Sequence, residues 1–397
     1  MVSDDSSIAL DTPNSTASFD PVADQCSRMK EIAHLHIEGF RSIRSADIPL
    51  RPLNVLIGAN GAGKSNLIDL FRLLNYALSG GFQDPYLLER GPASAILHYG
   101  PKVTGVIRVE LTFHTELGTN WYRFTLADTA GDRLTFTKEE VQFQRKDSPT
   151  PSPSVPLIGH PSDNSGLAEL WSENDPTARF AKGFLQRCRV YQFHDTSLTS
   201  HLRDYSPTDR NRYLYADGGN LSAVLWSLRT EAPDSYLSII RTLRLILPWF
   251  DDFLLEPEGR KGVLLRWRMA GRADISFGPG HLSDGSLRIM ALVTLLLLPP
   301  EQRPDVIILD EPELGLHPAA IGILVQLLRG ATATSQVIVA TQSVTLVNQV
   351  APEDVVVVEQ EDGQSTFRRC DAVALQAWLK EFSLGELWEK NVLGGQP

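Results

Sequence analysis

The sequence predicts an α/β protein in which a core sheet with flanking helices is joined to an antiparallel β subdomain. Three observations predict this class: an apolar strand that runs into a glycine-rich turn and a helix, a region of period-two alternation, and a second apolar strand that ends in two carboxylates. Short apolar runs predict buried strands, whereas alternation predicts strands with one solvated face.

Length and composition agree with a folded protein. The chain has 397 residues, 42% apolar and 21% charged, enough for a sizeable core in two or three lobes. Its net charge of −11 excludes a protein that coats nucleic acid over its whole surface. The three cysteines form no CxxC pair, so no zinc site or disulfide framework is indicated. The longest apolar run, 289–298, is about half of the roughly 20 residues that a membrane span needs. We therefore expect a cytoplasmic protein without membrane contact.

The elements divide the chain into successive segments. Residues 53–58 predict a strand, Lys64 to Leu78 a helix, and 103–144 an antiparallel meander. The expected organisation is a disordered acidic tail (1–28), an N-terminal part with the glycine-rich turn and the meander (29–145), an exposed Pro/Ser-rich loop (146–165), a helical lobe with a basic strand (166–280), a segment with the second carboxylate-ended strand (281–371) and a helical tail (372–397).

The glycine-rich turn is a candidate phosphate site. Gly58-Ala59-Asn60-Gly61-Ala62-Gly63-Lys64-Ser65 fits G-x-x-x-x-G-K-[ST], between a predicted strand and a predicted helix. Such a loop points backbone N–H groups at phosphate oxygens, and the helix that follows adds its positive end. Lys64 would reach the β and γ phosphates of a nucleotide, and Ser65 would ligate Mg²⁺. A structural turn without a ligand is the alternative, which the strand–helix context disfavours.

Two further motifs complete this chemistry. Val306 to Leu309 predicts a buried strand that delivers Asp310 and Glu311 to the phosphate site, where Asp310 would hold Mg²⁺ and Glu311 would polarise the attacking water. An exposed acidic turn is the alternative.

Ser283 and Gly285 of LSDGS precede an apolar helix whose N-terminus could bind an anion. A capped helix without a ligand is the simpler interpretation of that motif alone.

Taken together, these residues resemble the ATP-binding-cassette (ABC) ATPase heads of the SMC, RecF and OLD-nuclease lineage. More closely, the chain resembles stand-alone bacterial ATPases of the AAA-15/AAA-21 type. FRS before the P-loop, LSDGSLR, VIILDEPELGLHP and VIVATQS stand where that lineage has its opening motif, signature, Walker B with D-loop, and switch. The closing SLGELWEKNVLGG belongs to the resemblance without a physical explanation. The implied fold is an ABC-ATPase head: a P-loop NTPase core sheet, an antiparallel β subdomain and a helical signature lobe.

The resemblance implies a dimer of heads that sandwiches two ATP molecules, with Mg²⁺ as the cofactor. Arg41 of FRS would touch phosphate in the same chain, and Ser283 and Gly285 would touch the γ phosphate of the partner's nucleotide. His317 in the D-loop would link the two sites. Gln192 is the candidate Q-loop residue near Mg²⁺, with Gln83 and Gln144 as competitors.

The switch departs from the transporter pattern, because Gln342 stands where transporters carry histidine. Glutamine can hydrogen-bond phosphate, but it cannot become cationic or transfer a proton near neutral pH. Slow hydrolysis is therefore expected. The spacing leaves no room for a long SMC coiled coil or, after Gln342, for a TOPRIM nuclease domain.

A basic stripe is the candidate DNA contact. Arg266 and Arg268 share one face of a predicted strand, where they could grip phosphates. The alternative is a solvated face paired with nearby acids. The leading hypothesis is an ATP-hydrolysing, dimerising head in bacterial DNA maintenance or antiphage defence. Its rival is an ATP-gated scaffold that restrains a separately encoded effector, for example a nuclease.

Overall fold

The computed structural model describes residues 30–79, 86–169 and 174–396. The expected acidic tail and Gln83 lie outside these ranges. Within them, two six-stranded sheets and one three-stranded sheet pack with helices. The predicted α/β class, with a core sheet and an antiparallel subdomain, is confirmed.

The antiparallel sheet is built from the N-terminal part of the chain, in the strand order β2-β1-β4-β5-β6-β7. Its strands are β1 (Glu31–Phe40), β2 (Ile43–Pro49), β4 (Val106–His114), β5 (Gly118–Thr129), β6 (Arg133–Arg145) and β7 (Val155–Pro156). Every second residue is buried along β4, and along β5 as far as Leu126. The alternation thus predicted the meander correctly, because one face packs on the core while the other meets solvent.

The Pro/Ser-rich loop is mostly exposed, but two of its residues, Leu157 and Ser165, are buried. The Ser165 hydroxyl donates a 2.6 Å hydrogen bond to the carboxylate of Glu139 on β6, and the Tyr122 hydroxyl donates another of 2.8 Å. Burial raises the pKa of Glu139. The prediction of an exposed loop was therefore incomplete, since a buried carboxylate needs donors and draws part of the loop inward.

The second six-stranded sheet, called here the parallel sheet, has the order β15-β14-β3-β13-β12-β8. Its strands are β3 (Leu53–Ile57), β8 (Cys188–Tyr191), β12 (Val306–Asp310), β13 (Gln336–Thr341), β14 (Val355–Glu361) and β15 (Gln364–Arg369). All neighbours pair in parallel except β14 and β15. Because the carboxyl ends of parallel strands share one edge, the residues after β3, β12 and β13 are brought together there.

Both faces of the parallel sheet are covered. Val55 and Ile57 of β3 belong to a core shared with the helices of the second half of the chain, whereas Leu56 belongs to a core shared with the antiparallel sheet. All three residues are fully buried. This two-sided burial explains why the strands read as continuous apolar runs in the sequence.

A three-stranded antiparallel sheet, in the order β11-β10-β9, lies within the lobe expected to contain helices and one basic strand. Its strands are β9 (Phe250–Leu254), β10 (Arg266–Met269) and β11 (Arg272–Phe277). The structure has a strand, β10, where the basic strand was expected, whereas β9 and β11 were not predicted. The strands have only four to six residues, too few for alternation to distinguish them clearly from loops.

The helices surround these sheets. They are α1 (Lys64–Leu78), α2 (Leu87–Arg90), α3 (Ala93–Ile96), α4 (Pro176–Gln186), α5 (Leu221–Glu231), α6 (Pro233–Ile246), α7 (Asp284–Leu296), α8 (Pro318–Ala331), α9 (Val344–Val347), α10 (Ala372–Leu375) and α11 (Leu384–Glu389). Among the described residues, none of these helices combines the length and the apolar character needed to cross a membrane.

Candidate functional site

The glycine-rich loop lies between β3 and α1, as predicted. Gly61 and Gly63 have φ angles of 80° and 115°, a region that favours glycine. A Cβ atom on Gly63 would lie 2.0 Å from the hydroxyl of Ser365, so a larger residue would also collide there. The local sequence therefore curls the backbone tightly at the carboxyl edge of the parallel sheet.

Two serines hold this loop from behind. The Ser365 hydroxyl, on β15, donates to the carbonyl of Ala62 at 2.6 Å and lies 2.6 Å from the hydroxyl of Ser42. Asn66 on α1 donates to Ser42 at 2.6 Å. The sequence reasoning missed both serines. Ser42 belongs to the FRS motif and could have been noted, whereas nothing in the local sequence marks Ser365.

A cleft opens in front of the loop. The described residues that line it come from the glycine-rich loop, α1 and the ends of β12 and β13: Asn60, Gly61, Gly63, Lys64, Ser65, Asn66, Glu311 and Gln342. The structure thus brings together residues predicted from three separate motifs.

Lys64 is the cation of the cleft and is only 5% exposed. Its ammonium group donates to the carbonyls of Gly58 (2.5 Å) and Ala59 (3.0 Å). Burial lowers the pKa of Lys64, and the nearby carboxylates of Glu311 and Asp310 oppose that shift. A buried cation in the glycine-rich loop at the N-terminus of α1 is suited to an anionic ligand such as phosphate.

Glu311 and Gln342 face each other across the cleft. The Gln342 amide donates to the carboxylate of Glu311 at 2.5 Å and to the side-chain oxygen of Asn60 at 2.6 Å. Glu311 has a φ of 43°, and its N–H donates to the carbonyl of Ala340 on β13 at 2.8 Å. A non-glycine residue in this conformation is held by its surroundings, and such residues cluster at functional sites.

Glu313 is a buried acid that the sequence reasoning missed. It is 9% exposed, and its Oε1 accepts a hydrogen bond from the Thr341 hydroxyl. Its other oxygen, Oε2, has no hydrogen-bond partner among the described residues. Burial raises the pKa of Glu313. Thr341 also accepts from the N–H of Ser343 at 2.9 Å, so this acid anchors the turn that carries Gln342.

The residues expected to hold Mg²⁺ suit that ion chemically. Ser65 is the second residue of α1 and lines the cleft, and Asp310 is the last residue of β12. A hydroxyl and a carboxylate are hard oxygen donors of the kind that Mg²⁺ prefers. Burial raises the pKa of Asp310, while Arg72 and Lys64 lower it, so a bound cation would favour its ionised form. Among the described residues, no group of three or more His, Cys, Asp or Glu could hold a metal by itself.

Gln192 directly follows β8, whose Tyr191 pairs with Leu309 of β12, so it lies in register beside Asp310. Its side-chain oxygen accepts from Arg72 of α1 at 2.9 Å. Gln192 lines a neighbouring polar cleft with Arg72 rather than the cleft of Lys64. Its competitor Gln144 lies on β6 and donates to the carbonyl of Ser148, away from the parallel sheet.

Arg41 has a φ of 50° and forms an ion pair with Asp69 of α1 at 2.7 Å. Asp69 is 4% exposed and also lies 3.3 Å from Arg90. Arg41 does not belong to the described residues that line the Lys64 cleft. The adjacent Ser42, described above, makes the contacts to the loop and to α1.

The signature residues lie elsewhere. Ser283 is exposed and caps α7 by accepting from the N–H of Ser286 at 3.2 Å. Gly285 packs against the turn after β12, where a Cβ atom would lie 2.4 Å from the carbonyl of Gly315. Neither residue lies among the described residues that line the Lys64 cleft. His317 is exposed and caps α8, accepting from the N–H of Ala319 at 3.3 Å.

Arg288 of α7, also missed from sequence, connects the signature helix to the rest of the site. Its guanidinium donates to the carbonyls of Leu314, in the turn after Glu311, and of Phe193 at 3.0 Å, in the segment after β8. Burial lowers the pKa of Arg288. The helix that presents Ser283 is thereby tied to the segments that carry Gln192 and His317.

The basic stripe is paired with acids. Arg266 lies 2.8 Å from Glu258, and Arg268 lies 3.2 Å from Asp251. Trp267, between them, is buried, as the alternation predicted. A phosphate group would have to compete with these carboxylates for either arginine.

Two family models match the chain. The model described as "AAA domain, putative AbiEii toxin, Type IV TA system" matches residues 184–348, and a model described as "AAA domain" matches residues 34–150. The first match contains LSDGS, Asp310, Glu311 and Gln342, and the second contains the glycine-rich loop.

Curated relatives and solved structures also resemble parts of this chain or its fold. The DNA replication and repair protein RecF of Porphyromonas gingivalis, in two strains, is 38% identical over 68 residues, which is 17% of this chain and 19% of RecF. An SMC head bound to the C-winged helix domain of ScpA has a TM-score of 0.55 at 16% identity, over 85% of this chain and 97% of that chain. A Pyrococcus furiosus Smc head with an extended coiled coil, bound to the C-terminal domain of ScpA, has a TM-score of 0.50 at 14% identity, over 89% and 99% of the two chains. Together, the two partial family matches, the partial similarity to RecF and the fold similarity to SMC heads support an ABC-type ATPase head of SMC/RecF-like lineage.

Proposed function

We propose that this chain binds ATP with Mg²⁺ in the Lys64 cleft and hydrolyses the nucleotide slowly. The observation that carries the proposal is the convergence of Lys64, Glu311 and Gln342 on one cleft in front of the glycine-rich loop. The loop N–H groups and Lys64 bind the phosphates. Ser65 and Asp310 would hold Mg²⁺, which would neutralise phosphate charge when bound, and Gln192 follows β8 in register beside Asp310.

Glu311 polarises the attacking water. Its carboxylate is oriented by Gln342, which donates to it at 2.5 Å, and its backbone is fixed by Ala340. A carboxylate held in this way accepts a proton without reorganising. Gln342 positions groups but cannot transfer a proton itself, which supports slow turnover.

The active unit is a pair of chains joined through two nucleotides. Support comes from the exposed position of Ser283 at the N-terminus of α7, outside the cleft of its own chain. A second chain would bring its Ser283 and Gly285 to the γ phosphate, and His317 would lie near the junction. An isologous pair completes both sites at once. Arg41, held by Asp69, would approach phosphate in its own chain.

The cellular role proposed for this dimer is DNA maintenance or antiphage defence. The similarity to RecF, a DNA replication and repair protein, supports a DNA-associated role. Arg266 and Arg268 would contact DNA by exchanging their carboxylate partners for phosphates. A second candidate, an ATP-gated scaffold for a separate effector, is favoured by the two similar SMC heads, both of which are bound to ScpA.

Glu311→Gln tests the proposal. The change is nearly isosteric and removes the charged proton acceptor, so ATP binding should persist while turnover falls by about 10²–10⁴-fold. Equilibrium binding of labelled ATP and release of phosphate measure the two effects separately. Glu231→Gln, at the exposed end of α5, is the matched control and should change neither. If Glu311→Gln turns over within a few-fold of the original chain, Glu311 is not the base.

A further inference from the structure

The C-terminal residues 383–396, called here the C-terminal clasp, pack beneath the phosphate site. The clasp begins with α11, whose N-terminus is closed by a reciprocal capping box between Ser383 and Glu386. Four of its apolar residues are at most 4% exposed and belong to the same core as β3 and β13: Leu384, Leu387, Trp388 and Leu393. The segment is therefore an integral layer of the core.

One end of the clasp contacts the switch segment. The N–H of Gly385 donates to the side-chain oxygen of Asn348 at 2.7 Å. A Cβ atom on Gly385 would lie 2.6 Å from Val344, so α11 approaches α9 very closely. Because α9 starts two residues after Gln342, this contact fixes the helix that anchors the glutamine.

The other end contacts the glycine-rich loop. The indole N–H of Trp388 donates to the carbonyl of Gly395 at 2.5 Å, and the N–H of Gly395 donates to the carboxylate of Glu359 on β14 at 2.9 Å. Gly395 has a φ of 59°. A Cβ atom there would lie 3.4 Å from the Cα of Gly58 and 2.8 Å from a methyl group of Val357.

β14 completes the connection. A Cβ atom on Gly58 would lie 2.2 Å from the carbonyl of Val358, so the first glycine of the loop rests directly on β14. On β15, Arg368 donates to the carbonyl of Leu393 at 2.6 Å and holds the clasp on the same strand pair that carries Ser365. Gly58, β14 and Gly395 thus form three layers in direct contact.

We propose that the C-terminal clasp sets the conformation of the glycine-rich loop and thereby the affinity for ATP, with Trp388 and Gly395 as positioning residues. The statement about affinity rests on the proposed function, whereas the statement about the loop conformation does not. Neither residue belongs to the described residues that line the Lys64 cleft. The clasp acts through Gly58 on the phosphate cradle and through α9 on the turn of Gln342.

Two variants with matched controls test the clasp. Trp388→Phe removes the indole N–H and retains an aromatic ring, and its control Trp378→Phe changes a half-exposed tryptophan of the same C-terminal region. Gly395→Ala adds a Cβ atom against Val357 and Gly58. Its control, Gly271→Ala, imposes the same positive-φ strain (φ 77°) where nothing lies within 4 Å.

The first measurement is amide hydrogen exchange in the nucleotide-free protein. Residues 58–65 should exchange roughly tenfold faster in Trp388→Phe and Gly395→Ala, because the loss of one buried hydrogen bond or a local strain corresponds to about that factor. Residues 107–113 of the antiparallel sheet should not change. In the two control variants, both segments should exchange as in the original chain.

The second measurement is ATP affinity, which should weaken by roughly tenfold in the two clasp variants and remain unchanged in the controls. Unchanged exchange at 58–65, or a change shared equally with 107–113, would overturn the clasp. If the exchange changes as expected but the original chain does not bind ATP, the clasp stands and the proposed function fails.

Discussion

The Lys64 cleft and the lobe that carries the signature helix use charge in opposite ways. Lys64 lines the cleft together with Glu311, and Glu313 lies close enough to interact electrostatically with Lys64. Lys64 and Glu313 are each at most a tenth exposed. In the lobe, Arg266 and Arg268 have side chains 43% and 33% exposed, and each is paired with one nearby acid. In the lobe, each of these arginines is paired with one acid. In the cleft, the charged groups can also interact with a ligand.

This difference predicts that the cleft performs the chemistry and that the lobe associates with other molecules. Buried charges interact strongly because little solvent screens them, and they are suited to bind and activate a substrate. Exposed pairs contribute little to stability and exchange partners readily. The signature end of α7, with exposed Ser283 and Asp284, belongs to the second kind of surface. The proposed pairing of two chains depends on this exposed surface.

The largest effect is expected from Lys64→Ala. This change removes the buried cation together with its bonds to Gly58 and Ala59, so ATP binding should weaken by at least about 100-fold. Lys138→Ala, which removes an exposed lysine of β6, is the control. Equilibrium binding of labelled ATP measures both. Near-original affinity in Lys64→Ala would place phosphate binding outside this cleft.

Ser283→Arg tests the signature surface. Each variant chain should still bind ATP, but the arginine would place bulk against the partner's γ phosphate and stop hydrolysis. A 1:1 mixture with Lys64→Ala chains should recover about a quarter of the original turnover, because half of the pairs contain one intact site.

Size measurements with and without ATP on the Glu311→Gln background would show directly whether pairs form. An inactive mixture in which mixed pairs are demonstrated would mean that both sites must act together or that the signature does not complete the partner's site. Asp274→Asn, which changes another acid of the same lobe on β11, serves as the control and should leave pairing unaffected.

A smaller effect is expected from Glu313→Gln. Burial raises the pKa of Glu313, so the folded chain binds this proton more tightly than the unfolded chain does. The original protein therefore loses stability as the pH rises from about 4.5 through the folded-state pKa, and the glutamine variant does not. At neutral pH the variant should be more stable by about 1 kcal/mol. Unfolding by denaturant at several pH values measures the difference, and parallel pH curves would contradict it.

The smallest effect is expected from Arg266→Gln combined with Arg268→Gln. Each arginine–phosphate interaction that is lost should reduce the magnitude of the log–log salt slope of DNA binding by about 0.9, so the loss of both should reduce it by about 1.8, without changing ATP affinity. Arg244→Gln, which removes another partner of Asp251, is the control. An unchanged slope would confine the stripe to its pairs with Glu258 and Asp251.

Local motifs predicted which residues would meet in the cleft. The residues that support the cleft depend on contacts between distant parts of the sequence, which local motifs do not reveal. Lys64 and Glu311 follow short apolar strands, and parallel strands bring such residues to one edge, so their meeting could be expected. Ser365 could not be found in this way, because its contact with Ala62 depends on the pairing of β14 with β3. Strands β9 and β11 of the small sheet were missed for a different reason, since such short strands carry too little periodicity.

The arrangement of charges was the least predictable feature. The sequence placed Arg266 and Arg268 on one face, which the buried Trp267 confirms. It did not identify Glu258 as the partner of Arg266, because that pairing depends on the bend between β9 and β10. Likewise, the sequence offered no physical explanation for the closing SLGELWEKNVLGG. The structure offers one, because Gly395 of this segment lies against Gly58.

The position of β3 in the parallel sheet has a consequence for how the chain folds. Ile57 at the end of β3 pairs with Thr341 on one side and Val357 on the other, so both neighbours come from the last quarter of the chain. The meander, by contrast, joins strands that follow one another closely, and low sequence separation favours early folding. On the ribosome, the meander can form while the strand before the phosphate loop still lacks both partners. A nascent chain should therefore complete the strand pairs on both sides of β3 only after residues 336–361 have been synthesised.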